Sequence, residues 1–138
     1  MNKVMLEKAN KFIKTCVNVS FGVIDENGYP SVSTVSLVKP KNINELHFTT
    51  TLCSNKVKRL KKNNKASICV CMNDGSKNIT LVGEAEILCD QETKNEYWQD
   101  WFIEVYPGGK TDPNYCVIKF TTKRGSLWID DEQTEFTI

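Results

Sequence analysis

The sequence predicts a mainly β domain, an antiparallel β-barrel with flanking helices, from three observations. Apolar residues alternate with small polar ones through several short segments, which is the two-residue period of a half-buried strand. Turn residues punctuate these segments, as in Asp25-Glu26-Asn27-Gly28, Pro40-Lys41-Asn42-Ile43-Asn44 and Asn73-Asp74-Gly75-Ser76. Strands do not alternate one by one with helices, which argues against a doubly wound parallel sheet. Short strands that must avoid exposed edges favour a closed or partly closed barrel.

Residues 2–15 open the chain as an amphipathic helix, with Met5, Ala9, Phe12, Ile13 and Cys16 at helical spacing. The period then drops to two: Val17, Val19, Phe21 and Val23 alternate with Asn18, Ser20 and Gly22. Asn27-Gly28 tolerates positive φ and turns this strand into a second one, 31–39. A third strand, 45–51, would complete a meander. Ser54 caps a short helix over 55–63, with Val57 and Leu60 inward and lysines outward. A fourth strand spans 65–72 and a fifth 78–88. The latter sets Ile79, Leu81, Gly83, Ala85 and Ile87 on one face, with Gly83 marking a bulge or close backbone approach. Asp90 caps a helix running to Tyr106, apolar through Trp98, Trp101, Phe102 and Val105, and Pro107-Gly108-Gly109 ends it. Strands at 115–120 and 127–129 close the chain.

The totals set outer bounds. A length of 138 residues fits one domain, 1–138. Eighteen basic residues against seventeen acidic ones leave a net charge of +1, which argues against a nucleic-acid binder. The lysines between residues 56 and 65 lack interleaved aromatic residues on which bases could stack, so they read as a solvated helix face. No signal-peptide core and no window apolar enough to cross a membrane is present, so a cytoplasmic location without membrane contact is expected. The six cysteines contain no Cys-x-x-Cys pair, and most lie in apolar β-like runs as small buried hydrophobes. Cys69, Cys71, Cys53 and His47 lack zinc-site spacing, so no metal is expected. His47 alternates with Leu46 and Phe48 and so faces away from the core.

The stretch Phe48-Thr49-Thr50-Thr51-Leu52-Cys53-Ser54-Asn55-Lys56 is the most informative. A strand end rich in hydroxyls leads into a capped helix with a lysine in its first turn. Helix N-termini present free N–H groups to anions, and Lys56 adds a full charge, so a phosphate could sit here. The same stretch also reads as a threonine-rich strand end and an ordinary cap. The second strand, 31–39, carries small polar residues on both faces. That pattern suits either a flat ligand lying close to the backbone or a solvated edge.

Four segments together resemble the pyridoxamine 5′-phosphate oxidase-like family of FMN-binding split barrels, in particular its small general-stress-protein branch. They are the hairpin from Gly22 through Gly28-Tyr29-Pro30 to Ser33, the pair Leu46-His47-Phe48-Thr49-Thr50 and Ser54-Asn55-Lys56-Val57, the strand Val82-Gly83-Glu84-Ala85-Glu86-Ile87, and the run from Tyr106-Pro107-Gly108-Gly109 through Asp112-Pro113-Asn114-Tyr115 to Trp128. The resemblance implies an antiparallel split barrel, a homodimer, and FMN at the subunit interface. It implies that Thr34, Val35 and Ser36 line the isoalloxazine and that Lys39 reaches the flavin. Thr49 and Thr50 would hold the phosphate or ribityl chain, and Ser54 and Lys56 the phosphate. Asn55 occupies the place of an arginine, Asn78 lies near a flavin-contacting glutamine, and Trp128 would approach from the partner subunit.

The chain departs from the true oxidases at Thr34, where they have arginine, and at its closing residues 134–138, which lack their arginine and histidine. Oxidation of pyridoxamine phosphate is therefore not expected. The expected function is an FMN-dependent oxidoreductase acting on a small-molecule substrate, with no catalytic acid or base indicated. The alternative is a carrier or sensor that holds flavin, haem or a deazaflavin without catalysis.

Overall fold

The computed structural model describes residues 2–138, in the order α1 (Lys3–Ile13), β1 (Asn18–Ile24), β2 (Pro30–Ser36), β3 (Glu45–Thr51), α2 (Asn55–Lys62), β4 (Lys65–Cys71), β5 (Lys77–Leu88), α3 (Gln91–Glu96), β6 (Tyr115–Ile129) and β7 (Glu132–Thr137). All ladders are antiparallel, in the order β2-β1-β4-β5-β6-β3, with β7 added to the far half of β6. The two ends of this order, β2 and β3, meet only at the bridge Leu37↔Phe48. The sheet therefore curls without closing.

Alternation fills its inner face. Phe21, Phe48, Ile68, Ile79, Leu81 and Phe120 are all fully buried. Met5, Ala9 and Ile13 of α1 join the same core. Val57 and Leu60 of α2 do so as well, as the spacing predicted. The bulge expected at Gly83 is present, since the β5–β6 register shifts between Val82 and Gly83. A Cβ on Gly83 would collide with the Thr121 carbonyl, so only glycine fits that crossing.

Several elements differ from expectation. β3 pairs with β6 rather than continuing a meander from β2. The predicted strand 31–39 stops at Ser36, because Lys39 adopts φ 49° and turns the chain away. The predicted helix 90–106 breaks after Glu96; Gln99 is extended and a 3-10 turn, Asp100–Glu104, follows. The break lets Tyr97 stack on His47 with ring centroids 4.2 Å apart, and lets Trp98 pack edge-on against Tyr115. β6 is one continuous strand across the polar stretch 121–126, because β5 and β7 meet its backbone groups from both sides. β7 was not expected; Asp130 and Asp131 supply its hairpin turn at φ 52° and 67°.

The cysteines also depart from the reading as buried hydrophobes. Cys116 is buried and Cys16 half-buried, but Cys53, Cys69, Cys71 and Cys89 are exposed. Among the described residues no group of three or more His, Cys, Asp or Glu side chains could hold a metal ion. No described helix is long and apolar enough to cross a membrane.

Candidate functional site

The anion corner forms where β3 runs into α2. Ser54 caps α2 by accepting a hydrogen bond from the Val57 N–H at 3.3 Å. Thr50 Oγ1 donates to Ser54 Oγ at 3.3 Å, so the two hydroxyls are held side by side. No acidic residue occupies the first turn of α2. Its first N–H groups have no acceptor within the helix, and Lys56 stands beside them, so the corner is electropositive.

This corner is one end of a cleft of about 360 Å³. Thr34, Val35, Ser36, Leu37 and Val38 form one wall, and Thr49, Thr50 and Lys56 the anion end. The opposite wall comes from the broken segment after α3, through Trp101, Phe102, Val105 and Tyr106. Small side chains keep the β2 wall low: Thr34 and Ser36 are exposed and Val35 is buried. Ser36 Oγ is already engaged, donating to Asn18 Oδ1 at 2.8 Å.

Of the residues nominated from sequence, the structure gathers Thr34, Val35, Ser36, Thr49, Thr50 and Lys56 along this cleft, with Ser54 bonded to its Thr50. Asn55, the first residue of α2, is exposed beside it but does not line it. Lys39 lies outside the cleft. Its left-handed backbone turns the side chain to the Glu96 carbonyl, to which Nζ donates at 2.8 Å. Asn78 and Trp128 face each other across β5 and β6, exposed and away from the cleft.

Sequence reasoning missed Tyr106 as a cleft residue. Its hydroxyl donates to Thr49 Oγ1 at 3.4 Å, and burial holds the phenol above its ordinary pKa. Its position before Pro107-Gly108 was the available signal, since the terminated segment folds back there. Helical spacing alone does not separate Trp101 from Trp98 and Phe102. Trp101 is 56% exposed on the cleft rim, while Trp98 and Phe102 pack inward. His47 is half-buried beneath Tyr97, and that burial lowers its pKa. Lys56 is the one charged side chain among the described residues lining the cleft, which contains no carboxylate or imidazole. The arrangement can bind an anion at one end and a flat, largely apolar body along the other, with no evident acid or base.

The family described as "Pyridoxamine 5'-phosphate oxidase like" matches residues 7–138. No curated protein matches the sequence. A solved structure of a protein related to general stress protein 26 (pyridoxinephosphate oxidase family) from Clostridium acetobutylicum is similar over 100% of this chain and 97% of its own, with 29% identity and a TM-score of 0.88. The general stress FMN/FAD binding protein from Xanthomonas citri is similar over 99% of this chain and 96% of its own, with 18% identity and a TM-score of 0.79. An F420 reductase covers 85% of this chain and 94% of its own, with 19% identity and a TM-score of 0.66. The last two likenesses show the fold alone.

Proposed function

Because the chain belongs to the pyridoxamine 5′-phosphate oxidase-like family, we propose that it binds FMN in the cleft between β2 and β3 and acts as an FMN-dependent oxidoreductase on a small substrate. One observation carries the reading: an electropositive corner and a flat, small-residue strand edge share a single cleft. FMN has the matching shape, with a phosphate dianion at one end and a planar ring system at the other. The flavin would supply the redox chemistry, and the chain would bind and orient it. Thr49, Thr50, Ser54 and Lys56 hold the phosphate and ribityl end, and the backbone at Thr34, Val35 and Ser36 meets the ring edge. Trp101, Val105 and Tyr106 keep water from the apolar side.

The reading includes a homodimer with the antiparallel split-barrel arrangement. Asn78 and Trp128 can reach a flavin only from a second copy, since neither lines the cleft of its own protomer. The departures at Thr34, Asn55 and the closing strand support a substrate other than pyridoxamine phosphate.

The test is a visible absorption spectrum after FMN is added and the protein is desalted, with chromatography and light scattering for mass. Retained flavin on a dimer is expected. A colourless protein after desalting would overturn the assignment. A second reading, a non-catalytic carrier of flavin, haem or deazaflavin, draws support from the absence of an acid or base in the cleft. Steady turnover with reduced nicotinamide and an acceptor would exclude it.

A further inference from the structure

The β5–β6 ladder ends on the pair Leu88↔Val117. Continuing the antiparallel register by one residue sets Cys89 against Cys116. The faces agree. Ile87 and Ile118 pack in the main core, and Leu88 and Val117 in the aromatic cluster on the other side. Cys89 and Cys116 therefore return to the main-core side together. Directly opposed residues hold their Cβ atoms about 4.5–5.5 Å apart. A disulfide needs about 3.5–4.5 Å, so a slight adjustment at the frayed end of the ladder suffices.

The two thiols differ in surroundings. Cys89 is exposed and opens onto a broad hollow of about 840 Å³ that it shares with Leu52, Leu60, Lys61 and Ile87. Cys116 is fully buried, and burial pushes its thiol up to about 12, with Cys89 close enough to add to the rise. Its Sγ donates to the Thr50 carbonyl at 3.3 Å. Thr50 is the residue directly opposite Cys116 on β3, and its hydroxyl holds Ser54. The buried thiol thus stands directly behind the anion corner.

We propose that Cys89 and Cys116 form a reversible disulfide on exposure to a peroxide, and that its formation loosens the phosphate corner of the cleft. The second half of this proposal rests on the FMN reading given above. The Cys89 thiolate attacks one peroxide oxygen, the O–O bond breaks, and Cys89 becomes a sulfenic acid as hydroxide leaves. The Cys116 sulfur then attacks the Cys89 sulfur. The S–O bond breaks, and the Cys116 proton leaves with the hydroxyl as water. In sum, two thiols and one hydrogen peroxide give one disulfide and two waters. The sulfur pair loses two electrons and the peroxide gains them, and a dithiol reverses the change. Cys116 is held protonated by its burial, so the second step is slow, and the pair responds to sustained rather than brief exposure. Closing the bond draws Cys116 toward β5 and removes its hydrogen bond to Thr50.

The test treats the purified protein with hydrogen peroxide, blocks remaining thiols by alkylation, and digests it for mass spectrometry. A peptide linked through Cys89 and Cys116, and released by dithiothreitol, is expected. The dissociation constant of FMN, read from quenching of its fluorescence, is expected to rise about fivefold or more in the oxidised protein. Cys89→Ser, a change at an exposed position, should keep the reduced protein's FMN affinity and lose the response to peroxide. Absence of the linked peptide overturns the proposal, and so does a linked protein with unchanged FMN affinity. A reduced protein that binds no FMN overturns the cofactor reading, and the coupling with it, even where the linked peptide forms.

Discussion

The two faces of β6 are buried by different means. On the inner face, Cys116, Ile118 and Phe120 join a core contributed by every strand from β1 to β7 and by two helices. On the outer face, Tyr115 and Val117 meet a small cluster built from Val38, Phe102 and Tyr106, with Tyr97 and Trp98 at its margin. The inner core is tied by continuous ladders. The outer cluster is tied by ring contacts and a few specific bonds. Tyr115 Oη donates to the Lys94 carbonyl at 2.8 Å, and the buried Lys94 Nζ donates to the Asp112 carbonyl at 2.9 Å. A segment held by few anchors opens at lower free energy than a laddered sheet. That loosely anchored segment is also the one that walls the cleft, so the sheet supplies rigidity and the cluster supplies adjustability.

Substituting one residue type in both regions tests the difference most strongly. Phe48→Ala, in the inner core, should lower global stability by about 3–5 kcal/mol, read by denaturant unfolding. Phe102→Ala should cost less, about 3 kcal/mol, because its surroundings can collapse, but it should reduce FMN retention in the still-folded protein. Equal losses of stability would erase the contrast. Lys56→Ala belongs to neither packing region. It should weaken FMN about tenfold, the loss of a charge-assisted bond, with an unchanged unfolding midpoint. Ser54→Ala removes the cap of α2 and should cost about 1 kcal/mol.

The smallest effect concerns His47, which lies where Tyr97 of the outer segment covers the sheet. Burial depresses its folded pKa below the ordinary 6.5, with Glu45 and Glu96 opposing and Lys119 and Lys41 assisting. The unfolded chain then binds the proton more readily. This contribution to stability is complete above pH 6.5 and is lost as pH falls from there to the folded value. Melting temperatures at pH 7.5 and 5.5 should differ by less in His47→Gln than in the parent protein. An unchanged difference would mean that the ring is solvated and that Tyr97 does not cover it.

The inner core was legible because its signal is local. Phe48 and Leu46 alternate with polar residues, and Val57 and Leu60 mark one face of α2, without knowledge of any partner. The outer cluster was legible only in composition. Trp98, Trp101 and Phe102 stand at helical spacing, yet Tyr115, distant in sequence, decides which of them turns inward. β7 escaped notice because its turn uses Asp130-Asp131 instead of glycine, and only Phe136 of the strand is buried. At the site, the corner from Thr49 to Lys56 could be read because strand end, cap and lysine are contiguous. The opposite wall could not, since Tyr106 meets Thr49 from far along the chain. Lys39 was nominated by the resemblance alone, and no local pattern announces the left-handed backbone that carries its side chain out of its own chain's cleft to the Glu96 carbonyl.

β6 is the one described strand that pairs with three others, and the Val82/Gly83 bulge divides its ladder with β5. Before the irregularity it is clamped between β5 and β3, and after it between β5 and β7. In deuterated water its backbone amides should therefore exchange as two slow blocks of unequal lifetime, with a faster gap at Lys123, the residue the register shift skips. The block beside β3, whose residues are mostly buried or half-buried, should outlast the one beside β7, whose residues are mostly exposed, so that the C-terminal hairpin breathes while the half of the strand behind the cleft stays shut.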